Sequence, residues 1–313
     1  MLQLILRRLA MSLPLLFVVT FLTFFLNSLA PGDLARTMMQ GEGTEEQYLA
    51  LRQELGLDQP MVLQYGRWLG RALQGDLGVS FFTKEPVVGL LNGRIGVSLS
   101  LMAGVLIVCV AAGLALGVLS ALRGGWVGRF IDTLSLGGLI FPSFWVALVF
   151  IAVFAVWLKW LPATGYTPFL QAPGAWLLGL VLPVMSVAMQ PITTVAKQTR
   201  DAMKDVLGRD FIRSLRASGL PERSVIWRHA LRNAALPVVT VLGLVMVGAI
   251  SGTVFVERVF VLPGLGSLAV TAALTNDIAV LQGATLYFTL MTIAINLLVD
   301  LSYGWLNPKV RVQ

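Results

Sequence analysis

Apolar residues in this chain gather into long runs. Six stretches carry almost no charge: roughly Leu9–Leu29, Val97–Leu122, Thr133–Leu158, Ala175–Val195, Leu236–Val256 and Val280–Tyr303. Crossing a bilayer takes roughly 20 apolar residues in a helix. Only helices and closed barrels satisfy their backbone polar groups there. The pattern predicts an all-α polytopic membrane protein with six transmembrane helices. The first stretch follows Arg7 and Arg8 and ends at Ser28-Leu29-Ala30, which also resembles a signal-peptide cleavage region. Its apolar run exceeds the usual core of about 7–15 residues, so an uncleaved anchor is expected.

Two polar segments stand out. Between the first two stretches, Pro31 to Ile95 is rich in turn signals, with short helices expected at Thr44–Leu55 and Met61–Leu73. Thr44 is the expected N-cap, with Glu45 and Glu46 in the first turn. This segment reads either as a solvated loop or as a small cap over the outer mouth. Between the fourth and fifth stretches, residues 196–235 break at Ser218-Gly219-Leu220-Pro221. Glycine suits the position after a helix and proline the start of the next. A helix from Lys197 into Ala217, a turn at Gly219 and a second helix from Pro221 to about Ala234 are expected. Three parts follow: an N-terminal anchor (1–30), an extracytoplasmic cap (31–96) and a core of five helices (97–313).

Charge supplies orientation. The formal net charge is +7, and nine of the 23 basic residues fall between Lys197 and Arg232. In short loops, thirteen basic residues lie on that side and two on the other. Basic loops stay cytoplasmic, so both termini and the Arg-rich loop are expected inside, with net +9 there and −2 outside. The basicity is thus membrane topology, not nucleic-acid binding. Only 12% of residues are charged, about half the soluble average, which excludes a soluble enzyme. One cysteine, Cys109, and one histidine, His229, exclude a disulfide framework and a multi-histidine metal site.

The stretches contain mild polar groups, among them Ser143, Ser186, Gln190, Thr194, Ser251 and Asn296, and no ionisable group at midplane. Coupled secondary transporters generally place ionisable groups there. The mild groups fit helix packing or a weakly polar pathway. Gly113 and Gly117 form a small-residue pair that lets helices approach. No phosphate-binding Gly-x-x-x-x-Gly-Lys-Ser/Thr loop occurs, and His229 lies far from every in-span serine. Vectorial work by this chain would need energy from a partner. Periodicity alone leaves the Arg-rich elbow open, as a protein docking surface or as a surface helix on anionic lipid.

The run Asp210-Phe211-Ile212-Arg213-Ser214-Leu215-Arg216-Ala217-Ser218-Gly219-Leu220, followed by His229-Ala230-Leu231-Arg232-Asn233-Ala234-Ala235-Leu236-Pro237, resembles the EAA loop of ABC importer permeases. In particular it is similar to the dipeptide/oligopeptide/nickel family. Further matching positions include Pro31-Gly32-Asp33, Gly75-Asp76-Leu77-Gly78, Pro142-Ser143-Phe144-Trp145, Pro263-Gly264-Leu265-Gly266, Gln282-Gly283 and Asn307-Pro308-Lys309. The chain departs from the family pattern at Arg213-Ser214-Leu215, Leu262 and Ala279.

The resemblance implies a type I ABC importer permease fold in the cytoplasmic membrane of a bacterium or archaeon. It implies a second homologous permease subunit, two ABC ATPase subunits that hold ATP and Mg, and an extracytoplasmic substrate-binding protein. No cofactor or catalytic residue is expected in this chain. The elbow would be the coupling helix, with Arg213, Arg216, Ala217, Gly219, Leu220, Glu222 and Arg223 at the ATPase. His229 and Asn233 would brace its second helix against the first. Asp76, Glu257, Pro263, Gly264 and Gly266 would meet the binding protein, and the six mild polar residues would line the pathway. Peptides lead as cargo, followed by nickel or its chelates and glutathione.

Overall fold

A computed structural model describes residues 2–29, 35–36, 39, 43–54, 56–123, 125–126, 128, 133 and 141–306. Pro31-Gly32-Asp33, Leu55, Arg129, Asp132, Asn307-Pro308-Lys309 and Arg311 lie outside the described residues, as do residues 134–140 near the start of the third stretch. The described elements are α1 (Leu2–Leu29), α2 (Glu45–Glu54), α3 (Met61–Ala72), α4 (Val87–Arg123) and α5 (Ser143–Trp157). After them come α6 (Pro173–Leu207), α7 (Asp210–Ala217), α8 (Glu222–Val259), α9 (Leu265–Leu274) and α10 (Ile278–Leu306). No strand occurs among the described residues. Five of the helices are long and apolar enough to cross a membrane: α1, α4, α6, α8 and α10.

Three expectations require correction. The third stretch is not one helix through Leu158: Phe141 and Pro142 are non-helical and α5 begins at Ser143. Proline has no N–H and drives the residue before it out of the helical region. The far end of α5 is a π-helical run, Ile151–Trp157. Second, no helix runs from Lys197 to Ala217. α6 continues without a break from Pro173 through the fourth stretch to Leu207 and stops at Gly208. Third, the helix after the elbow does not end near Ala234. It passes Pro237 and becomes the fifth stretch as one element, with a π-helical run at Val225–Ala230.

The chain forms two compact units. The first comprises residues 7–97 and 263–293. Thr44 caps α2 as expected: its Oγ1 accepts from Gln47 N (3.3 Å) while Gln47 Oε1 accepts from Thr44 N (3.0 Å), the reciprocal capping box. α3 is amphipathic and packs on α1. Tyr65 sits among Phe17, Phe21 and Phe24 at ring separations of 5.3–5.7 Å, and its hydroxyl pairs with Thr20 Oγ1 at 2.9 Å. Edge-on aromatic contacts of this kind stabilise beyond their buried area. α3 is therefore held on α1 by packing. Gln282 is buried and donates to the Thr20 carbonyl at 2.8 Å, while Ser80 donates to Asp277 at 2.6 Å. The Gln282-Gly283 pair is thereby explained: a Cβ at Gly283 would meet Val87 at 2.8 Å and Leu91 at 2.9 Å.

The second unit holds residues 98–262, the first residues of α1 (up to Leu6) and the last part of α10 from Ala294. α4 lies along α6 through its glycines. A Cβ at Gly104 would fall 2.6 Å from Val184, one at Gly113 2.7 Å from Val195, and one at Gly117 2.6 Å from the Ala196 carbonyl oxygen. α8 packs on α6 and on α10, where Gly243 meets Val299. α6 has 35 residues, about 52 Å at 1.5 Å per residue. That exceeds the roughly 30 Å hydrocarbon core, so its last turns project beyond the bilayer and carry the elbow.

Candidate functional site

The elbow is built by local backbone chemistry. α6 ends at Gly208, and Arg209 is extended (φ −76°, ψ 150°), which turns the chain into α7. Asp210 opens α7 and Arg216 closes it, each at the end its charge favours. α7 stops in a Schellman motif. Gly219 adopts φ +79°, Leu220 N donates to the Leu215 carbonyl (3.3 Å) and Gly219 N to that of Arg216 (3.0 Å). Pro221 is the N-cap of α8. A Cβ at Gly219 would meet nothing within 4 Å. The glycine is required here by its backbone angle, not by crowding within this chain.

Beneath the elbow lies a closed apolar core. Ile212 of α7 and Val225, Ile226 and Ala230 of α8 pack with Met203 and Val206 of α6 and with Val118 of α4. Leu215 and Leu220, the apolar pair flanking the Schellman turn, pack on the same cluster. The outward face carries Phe211, Arg213, Ser214, Arg216, Ala217 and Gly219, all exposed. α7 is thus held to both neighbouring long helices while one side stays free.

Two ion pairs shape that surface. Arg213 meets Asp210 at 3.3 Å along α7. Arg216 reaches across the turn to Glu222 with two bonds, Nε to Oε2 at 3.1 Å and a terminal nitrogen to Oε1 at 2.6 Å. This bidentate bond raises the Arg216 pKa and holds the Glu222 carboxyl below its usual range. Because the Glu222 value is depressed, the clip is intact at neutral pH and is lost only as pH falls through that lowered value. Glu222→Arg should leave α7 attached through its apolar face, with little change in thermal unfolding, yet reduce transport. The exchange Arg216→Glu with Glu222→Arg should restore transport; failure to do so would remove the clip from the coupling surface.

The other expected site residues divide. Arg223 is exposed and His229 half-buried. Asn233 does not reach the first helix of the elbow: its amide donates to the His229 carbonyl of its own helix at 2.8 Å. The bracing comes from the apolar core instead. Among the mild polar residues, Gln190, Ser251 and Asn296 are exposed and Thr194 half-buried, its hydroxyl bonded to the Gln190 carbonyl (3.1 Å). Ser186 is buried and donates to Leu182 O (2.7 Å), and Ser143 packs near Gly252. Those two belong to helix packing. Asp76 is exposed and accepts from Gly78 N (2.8 Å) in a tight turn. Pro263 is exposed, whereas Gly264 and Gly266 are buried at the start of α9. Glu257 departs most from expectation. It is wholly buried and accepts from Ser98 Oγ at 2.6 Å, so it joins α8 to α4 and presents no docking surface.

Sequence reading missed an exposed stripe. On α8, Asn233, Pro237, Thr240, Leu244, Gly248, Ser251, Phe255 and Arg258 are all exposed, a spacing of three and four that draws one line along the helix. On α6, Gln190, Thr194, Lys197, Asp201 and Lys204 form a similar polar line. Tyr303 of α10 donates to Thr240 at 2.6 Å, and Asn296 lies two turns further along the same helix. In the sequence the stripe shows only as Thr240 and Ser251 falling on one helical face, with Leu244 and Gly248 between them at spacings of three and four.

Five long apolar helices, two of them joined through a basic elbow, define the class: a polytopic membrane component of a transport system. Residues 113–312 match the family described as binding-protein-dependent transport system inner membrane component, and residues 1–102 match its N-terminal region. The chain belongs to this family; it is a permease subunit of an ABC importer, multi-pass in the bacterial inner membrane, and is not catalytic alone. It is 41% identical over 313 residues, 99% of both chains, to a Brucella abortus protein named "Putative peptide transport system permease protein". A Sinorhizobium fredii protein named as a peptide ABC transporter permease is 37% identical, over 98% of both chains. The glutathione transport system permease GsiC of Escherichia coli is 36% identical over 314 residues, covering all of both chains.

Proposed function

We propose that this chain forms half of a peptide pathway and receives ATP-driven motion through the elbow at Gly219. The observation that carries the reading is the elbow's construction: α7 is fixed by a buried core to two membrane helices, α6 and α8, with no flexible linker to either. A push on α7 would then move both helices as rigid bodies, the kind of transition that alternates access. The elbow seats in an ATPase subunit on the cytoplasmic side, with Arg213, Arg223 and the Arg216–Glu222 clip at the contact. ATP and Mg are held by two such subunits, and a second homologous permease supplies the other half. Both termini lie in the cytoplasm, and the 31–96 segment with the Pro263 turn faces the substrate-binding protein.

Gln190, Thr194, Ser251 and Asn296 are assigned to the solute pathway, since they are mildly polar and presented at the surface of membrane helices. Weak polarity without charge suits a path that passes cargo without gripping it. Peptides are favoured as cargo by the names of two relatives, with glutathione next by the name of a third; nickel chelates remain third. Ser251→Trp should block uptake while ATP hydrolysis continues; normal uptake would remove this face from the path. The reading as a whole is tested by purifying the tagged chain with its neighbours. An ATPase should copurify and be stimulated by the loaded binding protein. Uptake by the chain alone under an ion gradient would overturn it in favour of a secondary transporter.

A further inference from the structure

We propose that a groove beside the elbow binds an anionic phospholipid, with an acyl chain along its apolar floor and the phosphate held by Arg228 and Arg232. This goes beyond the transport reading and does not depend on it.

The groove has a volume of about 630 Å³ and lies among α4, α6, α8 and the end of α10. Leu114, Val195, Val239 and Leu242 form part of its floor, and Arg228 and Arg232 are its only charged lining among the described residues. It has a physical origin in α8. The face of that helix that is buried at Met246, Ile250, Thr253 and Glu257 continues toward the elbow as Leu242, Val239, Ala235, Arg232 and Arg228. There the neighbouring helices no longer cover it. The groove thus lies on the opposite side of α8 from the stripe that carries Ser251, and its apolar floor is unsuited to a hydrated solute.

Charge and shape select the occupant. Two guanidinium groups sit one turn apart at the end of an apolar trough, where membrane helices emerge. Guanidinium matches phosphate oxygens in paired hydrogen bonds, and basic residues at the bilayer surface attract anionic headgroups. Trp227 and Trp305 line the same groove and are 54% and 73% exposed; tryptophan favours the boundary between headgroup and hydrocarbon. From Arg228 to Leu242 the helix rises about 20 Å, so an acyl chain can lie along the trough with its phosphate end at the two arginines.

The two tryptophans make the test direct. The complete importer is placed in nanodiscs of phosphatidylcholine containing a fixed fraction of phosphatidylglycerol, with bromine on the acyl chains of one lipid or the other. Brominated phosphatidylglycerol should quench tryptophan emission more than brominated phosphatidylcholine at equal fraction. That excess should shrink at high salt and vanish in Trp227→Phe/Trp305→Phe. Arg228→Gln/Arg232→Gln should lower the preference roughly tenfold or more. Equal quenching by both lipids, or a preference that survives removal of both arginines, would overturn the proposal. Absence of quenching of these two tryptophans by either lipid would also overturn it and assign the groove to a protein neighbour. The Trp227→Phe/Trp305→Phe comparison keeps both arginines, so it decides the matter even if the arginine variant fails to assemble.

Discussion

Gly219→Pro is expected to abolish ATP-driven uptake while leaving the chain in the membrane. Proline holds φ near −65°, whereas Gly219 sits at +79°. Proline also lacks the N–H that bonds to the Arg216 carbonyl. The Schellman turn cannot form, and α7 loses its fixed relation to α8. The membrane helices do not depend on that turn, so insertion should persist. Two further substitutions separate angle from surface. Gly219→Ala meets no neighbour within 4 Å and should cost only the left-handed penalty of about 1–2 kcal/mol, with transport reduced but present. Gly219→Trp adds bulk on the exposed side and should abolish uptake by blocking the ATPase contact. The measurements are uptake in cells, membrane abundance and copurified ATPase. Normal uptake with proline at this position would remove the elbow from the coupling route.

Gly117→Ala should strongly lower the thermal stability of the importer. A single methyl there would lie 2.5 Å from Thr199 Cβ and 2.6 Å from the Ala196 carbonyl oxygen. The carbonyl belongs to the α6 backbone and cannot rotate away, so the helices must separate. Overpacking of this kind costs about 1–3 kcal/mol or more, and here it falls beside the Val118–Val195 core under the elbow. Gly93→Ala on the same helix is the control. It meets nothing within 4 Å, and replacing helical glycine by alanine gains up to about 1 kcal/mol. The two variants should move the melting temperature of the purified complex in opposite directions. Equal shifts would show that α4 and α6 do not approach through Gly117.

Much of this architecture is legible in the residues because membrane helices announce themselves by length and lack of charge. The Gly219 turn is equally plain, since Gly and Pro two residues apart allow few other backbones. What stays hidden depends on partners distant in sequence. Glu257 reads as a surface charge near a loop, and only the packing of α4 against α8 reveals that Ser98 receives it in the interior. Arg216 and Glu222 are six apart, a spacing that no regular helix brings together; the intervening turn does so. Pro142 and Pro237 show the limit of single-residue rules. The first lies at a helix start, while the second is carried within α8, whose packing on α6 sustains the helix through the missing bond. The asparagine at 233 follows the family pattern, yet its bond is local, and the bracing attributed to it is supplied by Ile212 and Val225.

The π-helical run at Val225–Ala230 acts as a phase setter. α8 leaves the elbow and becomes a membrane helix without interruption, so the direction in which Ser251 points is tied by geometry to the direction in which α7 faces. Each residue in an α-helix turns the chain by about 100°. The wider π turn, commonly one inserted residue within an α-helix, shifts every later side chain around the axis. Removing one residue just after this run would leave α8 helical, the elbow folded and the apolar length ample. It would nonetheless put each later residue in the place of the one before it, swinging the Thr240–Ser251 stripe toward the core and bringing buried residues such as Ala249 and Val256 outward. The run of six residues therefore carries information that none of its side chains expresses: the angular setting between the elbow at α7 and the exposed Thr240–Ser251 face of α8.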